Sequence, residues 1–149
     1  ANALAERGQA PARLLLSGCR PPEGPLRPSR SGLDDGALIE QLRALGGTPE
    51  IVFQHAELMQ VLLPIFRADL DVIDTYRPAE RAPLACPVRV YGGDADRDVP
   101  VESLAAWRRF TSDDFTTTTY PGGHFYLPGD AAPALLGAVR REVLGAPAG

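Results

Sequence analysis

Pro87-Val88-Arg89-Val90-Tyr91-Gly92-Gly93-Asp94-Ala95-Asp96 is the stretch that decides the fold of this chain. The first five residues form a short apolar strand, and the Gly/Asp-rich run up to Pro100 is the loop into which it empties. Downstream, residues 101–110 read as a helix with Trp107 on its apolar side. Residues 115–120, with four consecutive β-branched threonines, read as another strand, ending at Pro121-Gly122-Gly123-His124. Residues 131–143 close the chain as a helix, with Leu135, Leu136, Val139 and Val143 spaced for one face. Upstream, residues 34–76 carry helical periodicity and no strand signal. Leu38, Ile39, Leu42 and Leu45 line one face, Gly46-Gly47 closes that helix, and Thr48-Pro49-Glu50 opens the next. Residues 57–66 predict a helix broken at Pro64, and residues 68–76 a further one ended by Arg77-Pro78. Before this block come a Pro-rich loop over 21–28, a strand over 13–18 with the pattern of burial on both faces, and a helix end over 3–7 stopped at Gly8. Strand, helices, strand, helix, strand, helix is the α/β order, and it predicts about three parallel strands flanked by helices.

Composition narrows the function classes. With 149 residues, 44% of them hydrophobic, the chain has material for one ordinary core. The apolar run over 61–66 is far shorter than the roughly 20 residues that cross a bilayer, and the start lacks the basic-then-apolar order of a signal peptide. The expectation is a monomeric cytoplasmic protein with no membrane partner. Net charge is −4, and the 15 basic residues, all arginine, are scattered, which argues against nucleic acid. Cys19 and Cys86 have no His or Cys at metal-ligand spacing, so reduced thiols, no metal and no cofactor are expected.

Chemistry in parallel sheets gathers at the carboxyl ends of the strands, where the loops converge. Two such loops carry titratable groups: Asp94, Asp96 and Asp98 in one, His124 in the other. A carboxylate beside an imidazole fixes its tautomer and stabilises its protonated form, which is the work of an Asp-His pair in acyl transfer. The competing reading makes these aspartates turn or helix caps and His124 a cap or core residue. His55, beside Glu57, reads as a partly exposed helix residue. Met59, Leu62, Leu63 and Phe66 lie at helical spacing and either line a pocket or simply pack.

Five motifs in order carry a resemblance: Leu45-Gly46-Gly47-Thr48-Pro49, Leu63-Pro64-Ile65-Phe66-Arg67-Ala68-Asp69, Gly92-Gly93-Asp94-Ala95-Asp96, Trp107, and Pro121-Gly122-Gly123-His124-Phe125. Together they resemble the type II thioesterases that accompany polyketide and nonribosomal peptide synthases, over nearly the whole chain. The resemblance implies the C-terminal part of an α/β-hydrolase fold, residues 1–149 forming a partial domain with 31–77 as an inserted helical lid. It implies hydrolysis of acyl thioesters from the phosphopantetheine arm of an acyl or peptidyl carrier protein. The family's acid maps onto Asp96, with Asp94 as runner-up. The α/β-hydrolase habit Gly-x-x-Asp-x-x-Val-Pro, here from Gly93 to Val99-Pro100, favours the same choice. The family's base maps onto His124. Arg67, Arg77 and Arg81 are candidates for docking an acidic carrier.

One departure stands out. Such enzymes run Ser, Asp, His along the chain, with the serine in Gly-x-Ser-x-Gly at a strand-to-helix elbow. That motif does not occur in this sequence; Ser17 reads as the end of a buried strand, and Ser103 and Ser112 lie in a helix start and a loop. Residues 1–8 resemble the helix after the elbow, so the nucleophile is expected upstream of residue 1, and these residues alone are expected to be inactive. An uncovered parallel edge also predicts poor solubility. The alternatives are a general α/β-hydrolase acting on esters, or a truncated non-catalytic remnant.

Overall fold

The computed structural model describes residues 1–22, 30–77, 79–80 and 82–145. Most of the Pro-rich stretch over 21–28, and Arg81, lie outside them. The chain divides into two compact units: Ala1–Pro21 with Glu80–Gly149, and Pro22–Ala79.

The first unit is built on a parallel sheet in the order β1-β2-β3, with β1 over Leu14–Ser17, β2 over Val88–Gly93 and β3 over Phe115–Tyr120. Leu14 pairs with Val88 and Val88 with Phe115; at the other end Gly93 pairs with Tyr120. Alternation along the strands sorts the side chains onto two faces. Val88 and Val90, both fully buried, pack with Val99, Leu104 and Trp107, joined by Leu14, Leu16 and Phe115. Tyr91 on the opposite face packs with Tyr120, Tyr126, Ala131 and Leu135, joined by Leu15. Each fully buried valine contributes about 1.5–3 kcal/mol. Helices therefore cover both faces of the central strand, as the α/β order predicts.

Three sequence expectations are modified. β1 is half-buried rather than buried, with Ser17 exposed, because β1 is an edge strand whose second neighbour is absent among the described residues. The helix over 101–110 is α-helical only as α5, Val101–Leu104; Ala105–Phe110 winds as a 3-10 helix. Three residues per turn set Leu104, Trp107 and Phe110 in one row, and the Trp107 and Phe110 rings lie 5.2 Å apart. In the closing helix, labelled α6 below (Ala132–Leu144), Leu135 is buried and Val139 packs beside it, but Leu136 and Val143 are 66% and 65% exposed. Leu136 follows Leu135 directly and points about 100° away from it, off the buried stripe.

The chain starts with a short helix, α1, over Asn2–Ala5. The second unit is helical: α2 over Asp35–Leu45, α3 over Glu50–Phe53 and α4 over Ala56–Thr75. Asp34 caps α2 by accepting a hydrogen bond from the Ala37 amide at 2.8 Å, and Gly46, with φ of 80°, ends it. The expected break at Pro64 does not occur, since α4 runs through it for 20 residues. A proline there costs about 3 kcal/mol. Burial of Met59 and Leu63 before it and Leu70 after it, in one cluster with Leu38, Leu42 and Phe53, outweighs that cost. Near the C-terminal end of α4, buried Asp74 accepts from the Arg30 amide at 2.9 Å and pairs with its guanidinium at 2.8 Å. This unit holds a cavity of about 530 Å³ lined by Met59 and Leu63, with Phe53 and Pro64; Leu62 and Phe66 are not among its lining residues. No helix among the described residues is long and apolar enough to cross a membrane.

Candidate active site

The loops after β2 and β3 are zipped together beyond the strands themselves. Asp94 N donates to Tyr120 O, and Ala95 N to Gly122 O, both at 2.9 Å, extending the parallel ladder. Backbones this close leave no room for side chains. A Cβ on Gly93 would lie 2.3 Å from the Gly123 carbonyl oxygen and 2.4 Å from that of Gly122. Gly122 adds a φ of 128°, which L side chains rarely adopt. Close approach thus explains Gly93, and backbone conformation Gly122; the same approach of the loops brings Asp96 and His124 together.

Asp96 is buried, its carboxylate fully so. One oxygen, Oδ1, accepts from the backbone amides of Asp98 at 2.8 Å and Val99 at 2.9 Å. The other, Oδ2, lies 2.9 Å from His124 Nδ1. An ionised carboxylate can only accept, so the proton belongs on Nδ1, and Nε2 is left as the acceptor. The His124 side chain is 23% exposed, and Nε2 has no hydrogen-bond partner among the described residues. The pair can orient an imidazole, hold its tautomer, and balance the positive charge that forms when Nε2 takes a proton.

The neighbouring aspartates do other work. Asp94 Oδ1 accepts from the Gly122 amide at 3.0 Å, and the Asp98 carbonyl accepts from Arg20 Nε. It is Asp96, two residues from the runner-up, that reaches the histidine. His55 sits exposed at the N-cap of α4 without a side-chain capping bond. Ser103 donates to the Pro100 carbonyl and Ser112 to that of Leu84. Arg67 is engaged with the carbonyls of Ser31 and Leu33 and with Asp35, and Arg77 with those of Asp74 and Tyr76. Both cysteines are free thiols, and no group of residues suited to a metal ion occurs among the described residues.

Sequence reading missed the contribution of β1. Ser17 Oγ and Tyr126 Oη share a hydrogen bond at 2.7 Å across 109 positions of sequence. Gly18 lies against the imidazole: a Cβ there would meet His124 Cε1 at 3.7 Å. Trp107 Nε1 donates to the Cys19 carbonyl at 2.9 Å. The available signal was topological, since Ser17 and Gly18 also stand at the carboxyl end of a parallel strand.

A family model described as a thioesterase domain matches residues 1–143. The chain is 42% identical over 118 residues to the gramicidin S biosynthesis protein GrsT of Aneurinibacillus migulanus, covering 78% of this chain and 46% of that protein. Among solved structures it resembles the RedJ thioesterase from the prodiginine pathway of Streptomyces coelicolor, with a TM-score of 0.86 and 34% identity over 95% of this chain and 57% of that one. It also resembles YbtT, a type II thioesterase from the yersiniabactin NRPS/PKS pathway, with a TM-score of 0.81 and 29% identity over 94% and 57%. The chain spans about half the length of the curated relatives it matches.

Proposed function

Because this chain belongs to the thioesterase domain family, with type II thioesterases of NRPS/PKS pathways as its relatives, we propose that the intact protein hydrolyses acyl thioesters carried on the phosphopantetheine arm of a carrier protein. The observation that carries the reading is the 2.9 Å contact between the buried Asp96 carboxylate and His124 Nδ1, made between loops at the carboxyl ends of adjacent parallel strands. On this reading the lid expected over 31–77 falls within the helical unit Pro22–Ala79, whose cavity, lined by Phe53, Met59, Leu63 and Pro64 together with Asp35 and Arg67, offers room for an acyl chain.

In this mechanism a serine upstream of residue 1 attacks the thioester carbonyl while His124 Nε2 accepts its proton. The C–S bond then breaks, and the imidazolium gives that proton to the departing thiolate. Water repeats the cycle, with Nε2 again as base, and the acyl-enzyme C–O bond breaks to release the acid. Asp96 holds the imidazole and balances its charge throughout. That solved structures similar to this chain are described as type II thioesterases supports a thioester substrate over a simple ester.

The test is hydrolysis of acyl-carrier thioesters by the intact protein. His124→Ala is expected to lower kcat by roughly 10⁴ or more, as removal of a triad base does elsewhere. An unaltered rate overturns the proposal. Residues 1–149 expressed alone are expected to show no turnover, and measurable turnover there refutes the upstream nucleophile.

A further inference from the structure

The segment bearing His124 is held at two points. Before the histidine, Gly122 is clamped by the Asp94 carboxylate and by the Ala95 amide. After it comes Tyr126, whose ring is stacked on Tyr120 at 6.0 Å and 10°, with its Cβ about 3.0 Å from where a Cβ on Gly122 would stand. Stacking on Tyr120 and burial beside Tyr91, Ala131 and Leu135 hold the Tyr126 ring. Its hydroxyl is fixed by Ser17, at 2.7 Å.

Ser17 is well placed to act as a fixed point. The next residue, Gly18, donates its amide to the Tyr91 carbonyl at 2.9 Å, and the Cys19 carbonyl is held by Trp107. Gly18 also faces the imidazole: a Cβ placed on it would stand 3.7 Å from His124 Cε1. The same strand end thus borders the histidine and hydrogen-bonds the tyrosine two residues later. Burial pushes the Tyr126 phenol above its ordinary value, against a smaller lowering by the Ser17 hydrogen bond, so the hydroxyl stays neutral at physiological pH.

We propose that Ser17 and Tyr126 are a positioning pair, whose shared hydrogen bond sets the His124 imidazole against Asp96 by tying the third strand's loop to the end of β1. Neither hydroxyl takes part in proton transfer. The inference rests on reading Asp96 and His124 as acid and base, and it adds a third strand end to the machinery.

The test follows the His124 Nδ1 proton by NMR in the intact protein, alongside kcat and KM. Tyr126→Phe and Ser17→Ala each remove one hydroxyl. Each is expected to speed exchange of that proton about fivefold and to lower kcat by a similar factor with KM unchanged, the worth of one net hydrogen bond. The double variant should do no more than either single one, because only one bond is lost. Ser17→Thr, which keeps a hydroxyl, should restore the wild-type values. A role confined to folding would lower the melting temperature and leave the proton's exchange in the native state unmoved. Unchanged exchange in both single variants, or effects that multiply in the double variant, overturns the pair. Asp96→Asn serves as the reference and should abolish the protected Nδ1 proton. If it does so while the hydroxyl variants change nothing, only the positioning pair fails; if it does not, the acid-base reading fails and the pair with it.

Discussion

The two ends of the same sheet handle their carboxylates in opposite ways. At the amino ends of the strands, Arg89 on β2 pairs with Asp114 and with Glu142 of α6, both at 2.9 Å, and Arg13 also reaches Glu142. Asp114 is 62% exposed and Arg13 is 39% exposed. At the carboxyl ends a single carboxylate, that of Asp96, is fully buried, filled by two backbone amides on one oxygen and by one imidazole on the other. The first arrangement is a brace, in which several partly solvated charges share the load and any one is replaceable. The second is a device with one acceptor left over, on His124 Nε2. A buried acid saturated by fixed donors cannot turn or find another partner, and that immobility makes it suitable for orienting a base.

Asp96→Asn should break the contrast most severely. It preserves the shape of the site and both backbone hydrogen bonds to Oδ1, but the amide no longer holds the proton on His124 Nδ1, and hydrolysis by the intact protein should fall roughly 10⁴-fold. Asp94→Asn, two residues away, still offers an oxygen to the Gly122 amide and should change the rate less than about threefold. Equal losses in the two variants would remove the distinction between them.

Gly93→Ala comes next. Its Cβ would fall within 2.4 Å of two backbone oxygens, which cannot rotate away as a side chain could. The two loops must separate, and the expected cost is about 3 kcal/mol, read from the shift of a chemical denaturation midpoint. An unshifted midpoint would mean that the close approach is dispensable.

The smallest effect is expected at the brace. Burial works against ionisation of Glu142, but hydrogen bonds from Arg89 and Arg13 prevail and hold its carboxyl below the usual carboxylate range. The folded state then binds fewer protons here than the unfolded one. This contribution is present above the ordinary glutamate value of about 4.3 and is lost as pH falls through the lowered folded value. Glu142→Gln should therefore cost about 1 kcal/mol or less at neutral pH, shrinking on acidification and in high salt. A difference that grows as pH falls would reverse this assignment.

How much of this was legible beforehand depended on sequence separation. Loop chemistry at strand ends follows from a general rule of parallel sheets, so Asp96 and His124 could be nominated from the Gly/Asp run and the glycine pair before any coordinates. The choice of Asp96 over Asp94 came from the resemblance and from the Gly-x-x-Asp-x-x-Val-Pro pattern, and the path of the loop is what turns the Asp96 carboxylate toward His124. Pro64 shows the converse error: its local meaning is a helix break, and burial on α4 overrules it. Ser17 and Tyr126 left no local trace at all, being joined by a contact that needs the whole sheet assembled.

By itself the sequence determined the alternation of strands and helices, the apolar character of β2, and the presence of one acid-rich loop and one histidine loop, because all of these depend on periodicity and on residues close along the chain. Only the tertiary structure decided that Gly93 must be glycine and that the end of β1 reaches the histidine's loop. Those depend on strand order and register, which bring side chains from 28 to 109 positions apart within hydrogen-bond distance.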